Sequence, residues 1–427
     1  MANFLKSRQG AGAGTAYIAG SFAISGVLTY VFQSLSIQVL GKEGYAPLAL
    51  LWSATFLTAQ VLWIGGTQTL GRYVSEREAL GQDWAPVVSS VKRWQVGLLA
   101  TFLVAALLAS PLLTENVFVG DAWITVAFIV AVVLYAPEYF RRGLFNGHRQ
   151  PLRMGAQILA ESASRTLAAA ALLALGWGVF GPALAIVIAP IVGVLAVRPA
   201  TVPPPQREGE PFSTGRALRF AGPVLMCMAF AQALMNGGPL LTSLLDGTRA
   251  QVSVFSAALI LTRIPQYVLS PAIAALLPRA SRVLSTEGLV SFDRFVARST
   301  GAVALVGALM VGATWFLGEW GMRLFADFGA DRKILVALAA MAAFYILSET
   351  LNQALFALER ERLAALGWFV GLLASTACLL VLPAGVVERV SYSLAVGTFV
   401  AAVAQTVLYL AARRRPAPAT SQTASAP

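Results

Sequence analysis

Residues 122–145 read AWITVAFIVAVVLYAPEYFRRGLF. Sixteen residues from Ala122 to Pro137 pass without a charge, and then Glu138, Arg141 and Arg142 arrive within five positions. A run of about 20 apolar residues is what a helix needs to cross the hydrocarbon core of a bilayer. The charges mark the end at which such a helix leaves it. The ending recurs downstream: EYFRRGLF at 138–145, followed by Arg149, is matched by ETLNQALF at 349–356, followed by Arg360, at an offset of 211 without a gap. Arg72 and Arg279 repeat at a similar offset of 207.

Working outward from this stretch, long apolar runs predict twelve spans. They lie near 14–39, 46–70, 95–113, 122–141, 154–175, 179–197, 218–245, 252–277, 296–317, 334–357, 363–382 and 391–412. The repeat pairs the fourth span with the tenth and the second with the eighth. Six spans separate each pair, so the halves keep the same orientation, and such parallel repeats place a transport cavity between two lobes. The expected fold is therefore an all-α polytopic membrane protein with about 12 transmembrane helices in two parallel six-helix lobes around a central cavity. The expected divisions are 1–198 for the N-terminal lobe, 199–217 for a cytoplasmic linker and 218–412 for the C-terminal lobe. Residues 413–427, rich in Arg, Pro, Ala, Thr and Ser, are expected to be a disordered cytoplasmic tail.

The composition supports this reading. Only 12% of the 427 residues are charged, 57% are hydrophobic and the mean hydropathy is +0.72. A typical soluble domain carries about 25% charged residues. Placing the N-terminus in the cytoplasm puts 23 of the 31 basic residues on the cytoplasmic side and 6 outside, with Arg165 and Arg263 inside spans. That asymmetry favours cytoplasmic termini and explains the net charge of +11 without nucleic acid. The two cysteines, Cys227 and Cys378, sit in apolar runs, and His148 is the only histidine. With those residues no zinc or haem set can be built, no phosphate-binding G-x-x-x-x-G-K-[ST] loop occurs, and no cofactor is expected. The first apolar run is too long for a cleavable signal peptide. His148 is expected on the solvated surface.

Several short stretches resemble one family. Leu40-Gly41-Lys42-Glu43-Gly44-Tyr45 is similar to the LG-x-x-x-[YF] turn between the first two spans of prokaryotic polysaccharide flippases, in the multidrug/oligosaccharidyl-lipid/polysaccharide exporter superfamily. GRYVSE at 71–76 resembles their motif after span 2, and RGLFNG at 142–147 resembles their R-G-x-x-x-G after span 4. Residues 220–223 and 277–281 resemble parts of their C-terminal half. The resemblance covers most of 13–380. It implies transfer of undecaprenyl-diphosphate-linked oligosaccharide from the inner to the outer leaflet during surface polysaccharide synthesis. Many relatives carry a carboxylate in mid-span 7, where this chain has Asn236-Gly237-Gly238-Pro239, and this speaks against ion coupling through such a residue.

Polar side chains inside spans carry the functional expectations, because a charge at mid-bilayer costs at least ~2.5–3.5 kcal/mol. Gln157, Glu161 and Arg165 are spaced four apart and share a helix face. Either Glu161 and Arg165 neutralise each other between helices, or the face lines the cavity and Arg165 meets an anionic headgroup. Arg263 shares a face with Ser256, Gln266 and Ser270 and has no acidic residue within four positions. It is expected to bind the diphosphate or to pair with Glu161 or Glu349. Glu349, near Tyr345, Asn352 and Gln353, is a candidate proton carrier or a partner for a distant Arg. Glu138 is expected to form a local bridge to Arg141 or Arg142 at the cytoplasmic edge. Gln232 and Asn236 precede the Gly-Gly-Pro break in span 7, which reads as a hinge lining the cavity. The Ser21, Ser25, Thr29, Gln33 and Ser36 stripe of span 1 reads as helix-packing glue or as a sugar path. The substrate-binding set is thus Arg165, Arg263, Glu161, Glu349, Gln266, Asn236 and Gln232.

The favoured function is a lipid-linked oligosaccharide flippase working by alternating access. The chain is expected to be a monomer, with membrane lipids and glycosyltransferases or a polymerase of the same pathway as partners. The alternative is a small-molecule or drug exporter of this superfamily or of another 12-span class. An enzyme is not expected: the longest outer connector, near 318–333, is too small to build an active site alone.

Overall fold

In the computed structural model the described residues are 2–413, apart from 203, 210, 265, 267, 268, 270–272, 274 and 275. Ser270 and the tail beyond Arg413 therefore lie outside them. The chain is a succession of helices: α1 (Ala2–Gly44), α2 (Ala46–Ala79), α3 (Ala85–Leu108), α4 (Ala122–Gly147), α5 (Pro151–Ala174), α6 (Phe180–Ala196), α7 (Thr214–Asn236), α8 (Gly238–Leu244), α9 (Arg249–Thr262), α10 (Leu276–Ala326), α11 (Arg332–Ala357), α12 (Glu361–Val381) and α13 (Val386–Ala412). No strand occurs among the described residues, which suits a medium where every backbone group must be satisfied within its own segment.

All twelve predicted segments fall on helix, but they are unequal. Among the described residues eight helices are long and apolar enough to cross a membrane alone, and the bent pair α7–α8 makes nine if it counts as one span. The α6 and α9 helices are short, at 17 and 14 residues. The segment expected as one span over 252–277 is broken at Arg263, which caps the end of α9 at Thr262; beyond it the described residues Ile264, Gln266, Leu269 and Ile273 are helical again, ahead of α10. At the other end of α10, helix runs on to Ala326, so the connector expected over 318–333 shrinks to Asp327–Asp331.

The family-like motifs have local physical causes. Gly41 adopts φ 71°, a backbone state open chiefly to glycine, and this turns α1 into α2. The Tyr45 that closes the motif is fully buried and its hydroxyl donates to Gln33 Oε1 at 2.6 Å. Gly143 and Gly147, the glycines of RGLFNG, let α4 lie against α2. A Cβ on Gly143 would stand 3.0 Å from Thr67 Cα, and one on Gly147 would stand 2.9 Å from the Leu70 carbonyl oxygen. Small residues at such spacing allow backbones to approach where lipid supplies no hydrophobic drive. Trp63 Nε1 donates to the Val132 carbonyl (3.1 Å) and Thr67 Oγ1 to the Tyr139 carbonyl (2.9 Å), so the same contact is also hydrogen-bonded.

Packing sorts the helices into two groups. In one, α2 lies on α4, α1 on α5 and α5 on α6; in the other, α10 lies on α11, α11 on α13 and α12 on α13. Between them, α7 packs on both α2 and α12, and α9 on α1. The segment between α6 and α7 is strapped to one face of the first group. Asp83 N donates to the Arg207 carbonyl (2.9 Å), and the Phe212 ring packs on Tyr73 with centroids 4.8 Å apart. That side is the linker face. His148 also lies there, but its side chain is only 8% exposed and contacts Glu78 at 3.1 Å, edge-on to Trp84. The solvated position expected for it is corrected: Glu78 and Trp84 close over the ring.

Candidate functional site

Two buried polar networks stand out, one within the first group and one where α7 meets the end of α9, between the groups. The first is built from α4 and α5. Glu161 sits at its centre and accepts from Arg165, from Arg142 Nη2 (2.9 Å) and from the Tyr135 hydroxyl (2.9 Å). Arg142 Nη2 also reaches Glu138 Oε1 at 2.6 Å. The i, i+4 pair of Glu161 and Arg165 thus forms, and Arg165 is 3% exposed. Its guanidinium carbon lies 5.9, 5.1 and 5.6 Å from the ring centroids of Phe32, Trp52 and Phe56, a cage of cation–π contacts. Glu138 makes the local bridge expected of it, to Arg142. It is fully buried, and Arg142 joins it to Glu161, so four charges balance to zero. Arg141 points elsewhere and donates to the Val194 carbonyl.

Gln157 completes the face by donating to the Glu138 carbonyl at 3.3 Å. The network is not fully satisfied from within: Glu138 Oε2, Gln157 Oε1, Arg142 Nε and Arg165 Nε are buried without a protein partner. Each such atom costs about 1–3 kcal/mol, a penalty that a purely structural clamp would avoid. The hydroxyl stripe of α1 backs the network. Ser25 bonds Ser162, Thr29 Oγ1 accepts from Arg165 at 3.4 Å, and Thr166 donates to the Leu28 carbonyl at 3.0 Å. These are contacts of helix packing.

The second network stands where two helices break. Pro239 has no N–H for the helical ladder and its ring opposes the preceding turn, so α7 ends at Asn236 and α8 leaves at 64°. Gly238 is required there, because a Cβ would meet the Phe255 ring at 2.3 Å. Arg263, 6% exposed at the end of α9, donates through Nη1 to Asn236 Oδ1 at 3.0 Å. Asn236 in turn bonds Gln232. The side chains expected to line the hinge are therefore joined to the arginine expected to bind phosphate. Gln266 follows one turn later, its amide donating to the Arg263 carbonyl at 3.0 Å.

Glu349 lies on α11 and accepts from Asn352 Nδ2 at 3.2 Å. The Asn352 and Gln405 carboxamides are 2.8 Å apart, and the Gln405 amide faces the Ser348 carbonyl and Trp368 Nε1, at 2.7 and 3.0 Å. Sequence reading missed Tyr135, the Phe32–Trp52–Phe56 cage, Trp368 and Gln405. A glutamine in an apolar span was a legible signal for Gln405. The aromatic cage had none, because those rings look like ordinary core.

A third feature joins the two groups on the side away from the linker face. Along α1, the Tyr30 hydroxyl donates to the Ile260 carbonyl (2.6 Å), Ser34 to the Phe325 carbonyl (2.8 Å) and Gln38 to the Leu324 carbonyl (3.2 Å). Ser243 and Arg249 reach the Val117 and Val119 carbonyls at 3.1 and 3.3 Å.

This architecture is that of known transporters. The chain superposes on an inward-facing multidrug resistance MATE family transporter of the MOP superfamily with TM-score 0.70 at 15% identity, covering 93% of this chain and 97% of that one. It also superposes on the eukaryotic MATE transporter AtDTX14 with TM-score 0.64 at 16% identity, covering 95% and 98%. The fold is thus the two-lobed helical fold of the MOP superfamily. Within it, the sequence matches the polysaccharide biosynthesis protein family over residues 11–284, and the chain belongs to that family. Uncharacterized proteins of Mycobacterium tuberculosis (strain H37Rv) and Mycobacterium bovis are each 25% identical to it over 392 residues, 88% of both chains.

Proposed function

We propose that the protein moves an oligosaccharide carried on a polyprenyl diphosphate from the cytoplasmic to the outer leaflet of the bacterial inner membrane, with both termini in the cytoplasm. The observation that carries this reading is Arg263. It is buried in an apolar chain of the polysaccharide biosynthesis family and held at the junction of two broken helices by Asn236. Transporters of this build commonly place their substrate sites at interrupted helices, and here the cation at the break is the guanidinium itself. A guanidinium presents a planar fork that suits phosphate oxygens, and Asn236 fixes its plane. The lipid tail stays in the bilayer while the polar head passes between the lobes.

In this mechanism the bonds along α1 close the outer side, and the linker side admits the head. Rocking of the lobes exchanges the two accesses. The coupling of that motion to an ion is assigned to no residue. The test is replacement of Arg263 by Ala and by Lys in a strain whose own gene is deleted. Loss of surface polysaccharide with normal protein abundance is expected for both, since Lys lacks the fork. Full polysaccharide with the Ala variant overturns the reading.

The second reading is export of small molecules. It is favoured by the MATE likeness of the fold. The charged side chains described above weigh against a cationic cargo, because Arg142, Arg165 and Arg263 match Glu138, Glu161 and Glu349 in number. Hypersensitivity of the deletion strain to cationic drugs, with unchanged polysaccharide, favours this second reading.

A further inference from the structure

A groove outside both networks runs between α7 and α12. Its volume is about 560 Å³, and Gly222, Met226 and Phe230 line one wall and Arg362, Leu366 and Phe369 the other. Both helices start at the linker face and run the same way, so these positions lie at matching depths. Gly222 and Arg362 are at the mouth. Phe230 and Phe369, with ring centroids 5.2 Å apart, close the far end. Eight residues of helix make the groove about 12 Å long, close to the ~15 Å thickness of one leaflet's hydrocarbon.

The walls are open sideways. Met226, Leu366 and Phe369 are 55%, 44% and 39% exposed, and a Cβ at Gly222 would meet nothing within 4 Å. One end thus carries a cation on the linker side, and the rest is an apolar channel open to the side. The rim has both signs, because residues 359–362 alternate Glu, Arg, Glu, Arg. A head with a phosphate and an ammonium matches that rim better than one with two negative charges, which would meet Glu359 and Glu361.

We infer that this groove is a binding site for a zwitterionic glycerophospholipid of the linker-side leaflet, with one acyl chain between α7 and α12 and its phosphate on Arg362. The site is distinct from both networks, to which none of its lining residues belongs. Bound lipid fills the space between α7 and α12 and holds the α7 half of the bent span against its neighbour.

The experiment uses the full-length protein in nanodiscs of equal phosphatidylethanolamine and phosphatidylglycerol, released for native mass spectrometry. The parent is expected to retain one phosphatidylethanolamine. Gly222→Phe, which fills the channel, and Arg362→Ala, which removes the phosphate contact, are expected to lower that retention at least tenfold. Gly301→Phe, on an exposed face of α10, is expected to leave it unchanged. Retention of phosphatidylglycerol or of an isoprenoid phosphate in place of phosphatidylethanolamine, equal retention by all variants, or no retained lipid would each overturn the assignment. Arg362 is exposed, so its Ala variant reports on the site even if Gly222→Phe folds poorly.

Discussion

Replacing Glu161 by Gln removes the charge that two arginines share. Glu161 is 5% exposed and accepts from Arg165, Arg142 and the Tyr135 hydroxyl. After the change Arg142 keeps Glu138 at 2.6 Å, but Arg165 is left with Thr29 at 3.4 Å, Tyr135 and its aromatic cage. Stranding a buried charge in this way costs about 3–5 kcal/mol. The amide still accepts one hydrogen bond, so the lower end is expected. At roughly 1 °C per kcal/mol for a chain of this length, the midpoint of thermal unfolding in detergent falls by about 3 °C. The double change Glu161→Leu with Arg165→Leu removes both charges, leaves the Arg142–Glu138 pair, and regains most of the loss, because apolar replacements of buried pairs are often neutral or stabilising. A midpoint for Glu161→Gln within about 1 °C of the parent would refute this reasoning, and so would a double variant less stable than the single one. If the double variant is stable but makes no surface polysaccharide, the network also acts in transport.

Three further outcomes follow from other contacts. Tyr30→Phe removes the hydrogen bond to the Ile260 carbonyl, worth about 1 kcal/mol, and on the proposed mechanism raises the outward-open population about five-fold. Labelling rates of a cysteine placed on the outer half of α1 measure it. Gly371→Ala puts a Cβ 2.6 Å from the Gly397 carbonyl oxygen, so α12 and α13 must separate, and a loss of about 1–3 kcal/mol is expected in the same thermal assay. Gly222→Ala adds a methyl group to open space, and no loss of stability beyond about 0.5 kcal/mol is expected from it.

Much of the fold was legible because apolar length and charge placement are properties of the sequence itself. The ending shared by 138–145 and 349–356 announced two like-oriented halves, and Gly41, Gly143 and Gly147 mark turns and close approaches that the coordinates explain. The break at Gly237 was legible from Gly-Gly-Pro. The interruption at Arg263 was not: apolar composition continues through 252–277, and hydropathy does not register where a helical ladder stops. The site was half legible. The i, i+4 pair of Glu161 and Arg165 follows from helical spacing, but Arg142 joining Glu138 to Glu161 depends on how α4 and α5 face each other. The meeting of Asn236 with Arg263, 27 residues apart, likewise depends on two bends that spacing along one helix cannot express.

The bonds from α1 share a chemistry with consequences for how this contact varies and moves. Tyr30, Ser34 and Gln38 supply side-chain donors, whereas every acceptor is main-chain carbonyl, and those of Leu324 and Phe325 belong to the final turn of α10, where helix leaves carbonyls unused. Any residue at 260, 324 or 325 presents the same acceptor. Only one strip of one helix therefore needs to keep its identity for the contact to survive sequence drift. Parting it returns ordinary carbonyls to water near the membrane surface, a small enthalpic exchange. The seam is thus fixed in place by geometry yet soft in energy, a combination suited to the parting and resealing that the proposed mechanism asks of it.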